Sequence, residues 1–379
     1  MFRKKIQFIT SYSLHLEPVI KNRLTPFIKM AIKYNFEVQV VSPDKKIFEI
    51  EGVSFDHKLV FEQEQKPRNF AKRMWFEIKQ ARKLINTAIN FEADYRMITI
   101  PSMFLLFNMY LFKKKLVIVD VRDLTWEYVS SNNFIFALIK RLLKFLASAN
   151  LKKSLFINVT NMTEHEYLTK NLRLKNTEVT LVPNGVTQYQ FNELSKVTLN
   201  TNGPLTIAYI GNVGIGQDLR YFVDVAKKFP EINFCIVGAG TDFDSLKDYS
   251  IKRNISNLKM TGRLDWNEVK KVYFSAHILY AQLTPDFSMG MPSKLYEYLS
   301  TGKFVIYGGK YQAKQALADF DNNIVVDPCN LKALEDAILH LIDSKEYLNL
   351  SSSNQSKIKR NFIREKSVSR FFNHLNSLH

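Results

Sequence analysis

Short apolar runs, each followed by a break and an amphipathic stretch, alternate along the whole chain. Twelve such runs predict strands at residues 6–10, 37–41, 97–100, 116–119, 155–159, 179–182, 206–210, 234–237, 258–261, 278–281, 304–306 and 324–325. Strands that alternate with helical patterns are typical of parallel sheets covered by helices. The pattern therefore predicts an α/β chain with two doubly wound parallel sheets.

The length of 379 residues suits two domains. A stretch rich in Asn, Thr, Ser and Gly precedes Leu205 and is typical of a linker. We predict a Rossmann-like acceptor-binding domain over residues 1–195 and a second Rossmann-like domain, for a nucleotide sugar, over 205–355. A helix within 356–379 is predicted to cross back to the first domain. Because ligands of such sheets bind at the carboxyl ends of the strands, two facing domains predict a cleft.

The net charge of +17 is concentrated in the first half, where residues 1–200 carry 31 basic and 18 acidic side chains. This excess favours anionic partners: phosphorylated substrates, a membrane surface or nucleic acid. Two cysteines in 379 residues indicate a reducing compartment. The uncharged stretch 97–112 is shorter than the roughly 18–20 apolar residues that span a bilayer. The sequence predicts a cytoplasmic protein.

The segment 290–306 carries the sharpest chemical pattern. A Gly/Pro loop brings Ser293 and Lys294 to the start of a predicted helix, where backbone N–H groups and the helix dipole favour a phosphate. Glu297 lies one turn later, where a carboxylate can accept hydrogen bonds from a ribose diol. The alternative is a helix that Ser293 merely caps, with Lys294 and Glu297 in solvent.

Several segments, taken in order, resemble the family 4 glycosyltransferases, which have the two-domain GT-B fold. They are residues 182–186, 208–214, 236–240, 260–263 and 290–306, and the resemblance covers most of 116–340. It implies a nucleoside diphosphate sugar as donor, with Glu297 on the ribose. The residues that it implies around the diphosphate are Gly211, Asn212, Gly214, Arg263, Ser293 and Lys294.

Two departures from the family pattern affect these implied roles. The family has a second Glu eight residues before the ribose-binding one, and this chain has Met289 there. The expected substitutes at the donor sugar are either the polar side chains of Asp286 and Ser288 or the backbone N–H groups of Gly290 and Met291. The loop after Gly211 lacks the Arg and Lys of many members, so it is either a glycine loop against a phosphate or a plain strand-to-helix turn.

Charged residues also follow the predicted strand 116–119. Asp120, Arg122 and Asp123 are similar to an Asp-x-Arg-Asp element in a bacterial subset of the family that acts on polysaccharide precursors. The resemblance implies that they position the acceptor hydroxyl, or that Asp120 or Asp123 is the base of an inverting enzyme. The alternative is an internal Asp–Arg ion pair. Arg23 either binds an acceptor phosphate or is solvated.

The segment 134–146 is strongly apolar and contains Lys140, Arg141 and Lys144. Such a helix can lie on an anionic membrane, or it can be a core helix with a basic outer edge. Agreement with the positive charge of this half favours the membrane.

These observations predict a glycosyltransferase that moves a sugar from a nucleotide sugar to a lipid-linked glycan acceptor of a bacterial surface polysaccharide. The family implies retention of anomeric configuration. We expect no metal and no other cofactor, because N–H groups and cations can stabilise the departing diphosphate. The expected location is the inner face of an anionic plasma membrane. An inverting transferase, a GT-B-like epimerase and a basic membrane- or nucleic-acid-binding protein are the alternatives, although no nucleic-acid-binding motif is visible.

Overall fold

A computed structural model describes residues 3–64, 70–100, 102–112, 116–127, 129, 133–174, 177–199, 203–287 and 292–378. Its contacts divide the chain into an N-terminal unit, Met1–Pro183 with Arg364–His379, and a C-terminal unit, Asn184–Ile363. The division therefore falls before the predicted linker. The reason is the helix Gln188–Leu194, whose Phe191 and Leu194 are buried in the core of the C-terminal unit.

The N-terminal unit is built on a seven-stranded parallel sheet in the order β3-β2-β1-β4-β5-β6-β7. Its strands are β1 (Lys5–Thr10), β2 (Glu37–Ser42), β3 (Asp56–Leu59), β4 (Tyr95–Ile100), β5 (Val117–Val121), β6 (Ile157–Val159) and β7 (Val179–Leu181). The sequence prediction missed β3. This strand reads Asp-His-Lys-Leu and lies at the sheet edge, so it carries no apolar run to detect.

Five helices of this unit connect the strands: α1 (Pro18–Lys33), α2 (Phe70–Ile89), α3 (Met103–Asn108), α4 (Phe134–Leu151) and α5 (Met162–Glu166). A π-helical turn, Tyr167–Asn171, continues α5. Apolar side chains of α2, α3 and α4 share one core with β4 and β5. Those of α1 belong to a second core with β1 and β2. The sheet is thus covered by helices on two faces, as doubly wound sheets are.

The C-terminal unit contains a six-stranded parallel sheet in the order β10-β9-β8-β11-β12-β13. Its strands are β8 (Thr206–Ile210), β9 (Asn233–Val237), β10 (Leu258–Gly262), β11 (Ile278–Gln282), β12 (Phe304–Gly308) and β13 (Asn323–Val326). The strand order reverses between β8 and β11. In doubly wound sheets the carboxyl ends at such a reversal form the ligand-binding crevice.

The helices of this unit are α6 (Gln188–Leu194), α7 (Arg220–Lys228), α8 (Phe243–Lys252), α9 (Trp266–Ser275), α10 (Ser293–Thr301), α11 (Tyr311–Leu317), α12 (Leu331–Ser344) and α13 (Ser352–Asn361). A last helix, α14 (Arg364–Ser377), belongs to the N-terminal unit. There Phe371 packs edge-to-face on Phe27 of α1 with ring centroids 5.0 Å apart. The predicted closing segment is therefore two helices, and the chain changes unit between Ile363 and Arg364. The two doubly wound parallel sheets confirm the predicted fold class.

Candidate active site

Helix α10 is fixed against the strands at the strand-order reversal by a buried tyrosine. The hydroxyl of Tyr298 accepts a hydrogen bond from the backbone N–H of Ile210 at 2.8 Å. It lies 3.1 Å from the carbonyl oxygens of Ile210 and Tyr280, to either of which it can donate. Because Tyr298 is fully buried, this bonding ties the helix to both β8 and β11. The first turn of α10 is thereby positioned relative to the end of β8.

Lys294 in that first turn lies on the ring of Tyr209, which belongs to β8. Its Nζ atom is 3.9 Å from the ring centroid and donates a hydrogen bond to the Tyr209 hydroxyl. Burial lowers the pKa of Lys294 to about 7, although the nearby carboxylate of Glu297 acts in the opposite direction. A buried cation held by an aromatic ring can change partner when an anion arrives.

Gly211 makes room for this lysine. A Cβ atom on Gly211 would lie 2.5 Å from Nζ and 2.7 Å from Cε of Lys294. The backbone of Gly211, with φ of +152°, also lies in a region that side chains rarely adopt. The glycine at the end of β8 therefore brings the predicted loop and Lys294 together.

The glycine-rich turns that follow β8 and β9 pack backbone against backbone. The N–H of Gly211 donates to the carbonyl of Val237 at 2.8 Å, and that of Val213 donates to Ala239 at 3.1 Å. A Cβ on Gly238 would overlap the carbonyl oxygen of Gly211. These two N–H groups are consequently engaged inside the unit, and the glycines serve close packing there rather than presenting those N–H groups to a phosphate.

Glu297 lies one turn after Lys294 and is held by side chains of two other helices. The hydroxyl of Tyr273 on α9 donates to its Oε2 at 2.8 Å, and Nε2 of Gln190 on α6 donates to its Oε1 at 3.4 Å. Tyr273 is fully buried, so its hydroxyl holds the carboxylate from the interior of the unit. The predicted ribose-binding group thus has a defined orientation beside Lys294.

The other predicted donor residues are placed as follows. Ser293 is the first residue of α10, and the cap position belongs to Pro292, so Ser293 is not the capping residue of the alternative interpretation. Asn212 is exposed and donates to Oε1 of Gln217 at 3.1 Å. Gly214 is buried, with a built Cβ 2.9 Å from Nδ2 of Asn212. Helix α7 begins at Arg220, after this loop.

Arg263 follows β10, at the edge of the sheet and two strands from β8. Its side chain is exposed and has no hydrogen bond or ion pair among the described residues. Gly290 and Met291 lie outside the described residues. Of the predicted donor set, the structure brings Gly211, Lys294 and Glu297 together.

In the N-terminal unit, the predicted catalytic Asp120 lies inside β5 and is fully buried. Its carboxylate accepts hydrogen bonds from Nη2 of Arg23 at 2.6 Å and Nε of Arg23 at 3.2 Å. It also accepts from the Thr99 hydroxyl at 3.2 Å and from the Asn158 amide. Burial alone would raise the pKa of Asp120, but the Arg23 guanidinium outweighs it and the pKa is lowered.

This ion pair corrects two predictions. Arg23 is 5% exposed, and its remaining Nη1 donates to the carbonyl of Val182 at 2.8 Å, so it does not present a cation to an acceptor phosphate. Asp120, with a lowered pKa and both oxygens engaged, is unsuited to act as a general base. The internal Asp–Arg pair of the alternative interpretation is present, but its arginine is Arg23 and not Arg122. The ion pair thus links Asp120 of β5 to Arg23 of α1.

The charged groups that remain at this strand end are Arg122, Asp123 and an unpredicted Glu164. Nε and Nη1 of Arg122 are buried and have no hydrogen-bond partner among the described residues. Burial raises the pKa of Glu164 to about 7, against hydrogen bonds from the backbone and hydroxyl of Thr160 at 2.8 and 2.9 Å. Asp123 is half-buried and raises that pKa further. These three groups interact electrostatically at the ends of β5 and β6.

Comparison with known proteins finds a family match within the C-terminal unit. Residues 190–358 match the family model described as "Glycosyl transferases group 1". An uncharacterized glycosyltransferase of Haemophilus influenzae is 24% identical over 247 residues, which are 63% of this chain and 66% of that protein. The alignment with this relative thus spans just under two thirds of its length.

Solved structures extend the likeness to nearly the whole chain. Sucrose-phosphate synthase from Thermosynechococcus elongatus has a TM-score of 0.78 and 13% identity, with 99% of both chains covered. Anabaena HepE, in complex with UDP and glucose, has a TM-score of 0.70 and 13% identity over 99% of this chain and 100% of its own. WaaG, a glycosyltransferase involved in lipopolysaccharide biosynthesis, has a TM-score of 0.69 and 11% identity over 96% and 99%.

The chain has the GT-B fold, and its residues 190–358 are similar to the group 1 glycosyltransferases. In this GT-B protein the sequence alone located the charged side chains but missed the groups that orient them. Tyr209, Tyr273 and Gln190 contact Lys294 or Glu297 from other elements. Tyr209 falls inside an apolar strand pattern, where it is indistinguishable from a core residue.

Asp44 is another group of the GT-B protein that sequence reasoning missed. It is buried after β2 and accepts hydrogen bonds from the backbone N–H of Leu14 at 3.1 Å and the hydroxyl of Ser42 at 2.6 Å. It also accepts from the hydroxyl of Ser13. The loop after β1 is therefore held by a carboxylate. An aspartate directly after a buried strand was the available signal.

Proposed function

We propose that the chain transfers a sugar from a nucleoside diphosphate sugar to an acceptor hydroxyl. The observation that carries this proposal is Lys294 in the first turn of α10, beside Gly211 and one turn before Glu297. A cation and the N-terminal end of a helix attract a diphosphate. A carboxylate oriented by Tyr273 accepts hydrogen bonds from ribose hydroxyls. Stabilising the departing diphosphate is the main catalytic task in such a reaction.

In the proposed reaction the anomeric C–O bond of the donor breaks and a new C–O bond to the acceptor oxygen forms. The nucleoside diphosphate leaves with the bonding electrons, and the acceptor proton is released. Lys294 moves from Tyr209 to the diphosphate, where its positive charge opposes the growing negative charge. We propose that no metal ion takes part, because Lys294 and the N-terminal end of α10 supply positive charge from the protein. Transfer that persists undiminished in a chelator supports this.

We propose retention of configuration at the anomeric carbon. The resemblance of the sequence to the family 4 glycosyltransferases supports retention. An inverting reaction would instead need a general base near the acceptor hydroxyl, and Asp123 and Glu164 are the candidates because Asp120 is paired with Arg23. Proton NMR of the product linkage distinguishes the two outcomes directly.

For the acceptor, we propose a lipid-linked glycan in the assembly of a bacterial surface polysaccharide, at the inner face of the plasma membrane. The excess of basic residues in the N-terminal half supports an anionic membrane surface as the place of this step. The involvement of WaaG in lipopolysaccharide biosynthesis supports the same class of product. Nucleic acid is not among the proposed partners.

The test is calorimetric binding of UDP, GDP, ADP and CMP to the full chain in a chelator. UDP is the first ligand to try, because HepE is described in complex with it. We expect one diphosphate to bind the wild type and to bind Glu297→Ala at least tenfold more weakly. Glu268→Ala is the matched control, since Glu268 lies on another helix of the same unit and pairs with Lys271. Absence of binding by all four nucleotides would count against the proposal.

A further inference from the structure

Helix α4 of the N-terminal unit buries only its C-terminal end. Its buried residues are Ala147, Asn150 and Leu151, all in the last two turns. The preceding part exposes large apolar side chains to an unusual degree: Phe134 83%, Ile135 67%, Leu138 59%, Leu142 56% and Phe145 68%. Residues 134, 138, 142 and 145 recur at helical spacing, so they form one stripe. A helix that only covered the sheet would bury such a stripe.

Neighbouring helices continue this apolar surface. Helix α3 packs against both α2 and α4, and the three helices share one core on the same face of the sheet. On α2 the side chain of Trp75 is 71% exposed, and Tyr110, in the turn after α3, is 56% exposed. We call the outward side of these three helices the α2–α4 face. Its aromatic side chains have the composition of a membrane interface.

The charge on the α2–α4 face is almost entirely positive. Helices α2 and α4 together carry eight Lys and Arg residues and one acidic residue, Glu77. Two of these lysines are already paired: the Nζ atoms of Lys140 and Lys144 lie 3.0 and 3.4 Å from the carboxylate of Glu127. Arg141 is exposed and has no ion pair among the described residues. Arg141, three residues after Leu138, therefore places a cation beside the apolar stripe.

We infer that the α2–α4 face docks on an anionic lipid bilayer, with the apolar stripe of α4 inserted between headgroups. Basic amphipathic helices with aromatic side chains lie in the plane of such a surface. Anionic headgroups attract basic residues that lie near the membrane surface. Among the described residues no helix is both long and apolar enough to cross a membrane, so the contact is interfacial. The inference extends the proposed membrane location and names its surface.

The test uses the full chain and vesicles of phosphatidylcholine with and without phosphatidylglycerol. The triple variant Phe134→Ser, Leu138→Ser, Phe145→Ser is expected to bind the anionic vesicles at least about tenfold more weakly than the wild type, because each lost side chain contributes apolar burial. The matched control is Ile251→Ser, Leu339→Ser, Leu348→Ser, which removes exposed apolar residues of the C-terminal unit and should bind like the wild type. Binding of the wild type should weaken with salt and be weaker to the neutral vesicles.

Tryptophan fluorescence gives a second readout. Trp126 is fully buried and Trp266 half-buried, whereas Trp75 is exposed on the proposed surface. Anionic vesicles should shift the emission of the wild type to shorter wavelength, and Trp75→Phe should abolish the shift while vesicle binding persists. The shift should be absent with the triple variant.

Three results would overturn the inference: equal vesicle binding by the triple variant and the wild type, loss of a dimer rather than of vesicle binding in that variant, or tight RNA binding that depends on the same stripe. An unchanged circular dichroism spectrum and an unchanged urea midpoint, followed by the buried Trp126 of the same unit, show that each variant is folded. Because the donor residues lie in the other unit, vesicle binding without nucleotide binding would defeat the proposed transferase and leave this inference standing.

Discussion

The two units treat their motif charges in opposite ways. In the N-terminal unit, Asp120 and Arg23 meet in a buried ion pair in which every carboxylate oxygen is engaged. In the C-terminal unit, Lys294 rests on Tyr209 and has no ion pair among the described residues. The first arrangement is closed and stabilises the fold. The second leaves a cation ready to bind an anion, which is the arrangement that a ligand site needs.

The largest expected effect comes from opening the closed pair. Arg23→Met should lower the free energy of unfolding of the N-terminal unit by about 3–5 kcal/mol, because a buried carboxylate is left without its cation. Urea denaturation followed by fluorescence of the buried Trp126 measures it. The double variant with Asp120→Asn should lose less than the sum of the single losses. A stable Arg23→Met variant that has lost only transfer activity would instead place the pair in the chemistry.

Removing the open cation should affect binding and not stability. Lys294→Ala is expected to weaken nucleotide binding by about 100-fold, since a charge-assisted hydrogen bond contributes about 1.5–3 kcal/mol. The urea midpoint should stay within experimental scatter of the wild type. Calorimetry supplies the first value and denaturation the second. Unchanged affinity in a folded variant would contradict the assigned role.

The same lysine predicts a pH dependence. Its pKa is lowered to about 7 by burial, and a bound diphosphate favours the charged form, so binding takes up a proton above that pH. As far as this lysine is concerned, affinity should therefore be greatest below pH 7, where the lysine is already charged in the free protein, and fall by up to about tenfold per pH unit as the pH rises above 7. Lys294→Arg should flatten the profile, because arginine stays charged. An equally steep profile in that variant would assign the titration to another group.

The smallest effect is expected at the aromatic partner. Tyr209→Phe keeps the ring under Lys294 but removes a hydroxyl that bonds both Lys294 and the carbonyl of Asn212. Nucleotide affinity should rise about fivefold, because Lys294 no longer gives up a hydrogen bond of about 1 kcal/mol to Tyr209 when it moves to the diphosphate. Tyr280→Phe, another buried tyrosine hydroxyl of the same sheet, is the control and should leave the affinity unchanged. Equal effects of both substitutions would indicate a general loss of packing.

Local pattern was sufficient for most of the fold. Apolar runs located twelve of the thirteen strands, because a buried parallel strand must be apolar along its length. Gly302 ends α10 with φ of +73°, a conformation that glycine adopts without strain. The polar edge strand β3 and the packing of α6 depended on neighbours distant in sequence, which no local pattern records.

For the candidate site, the sequence by itself determined which charges exist and where along the chain they occur, and tertiary structure decided their state. Asp120 and Lys294 look alike as motif residues beside a strand or helix end. Whether each is paired depends on Arg23, 97 residues from Asp120, and on Tyr209, 85 residues from Lys294. Ionisation and hydrogen bonding are set by burial and by partners in space, and those distances arise only when the sheet forms.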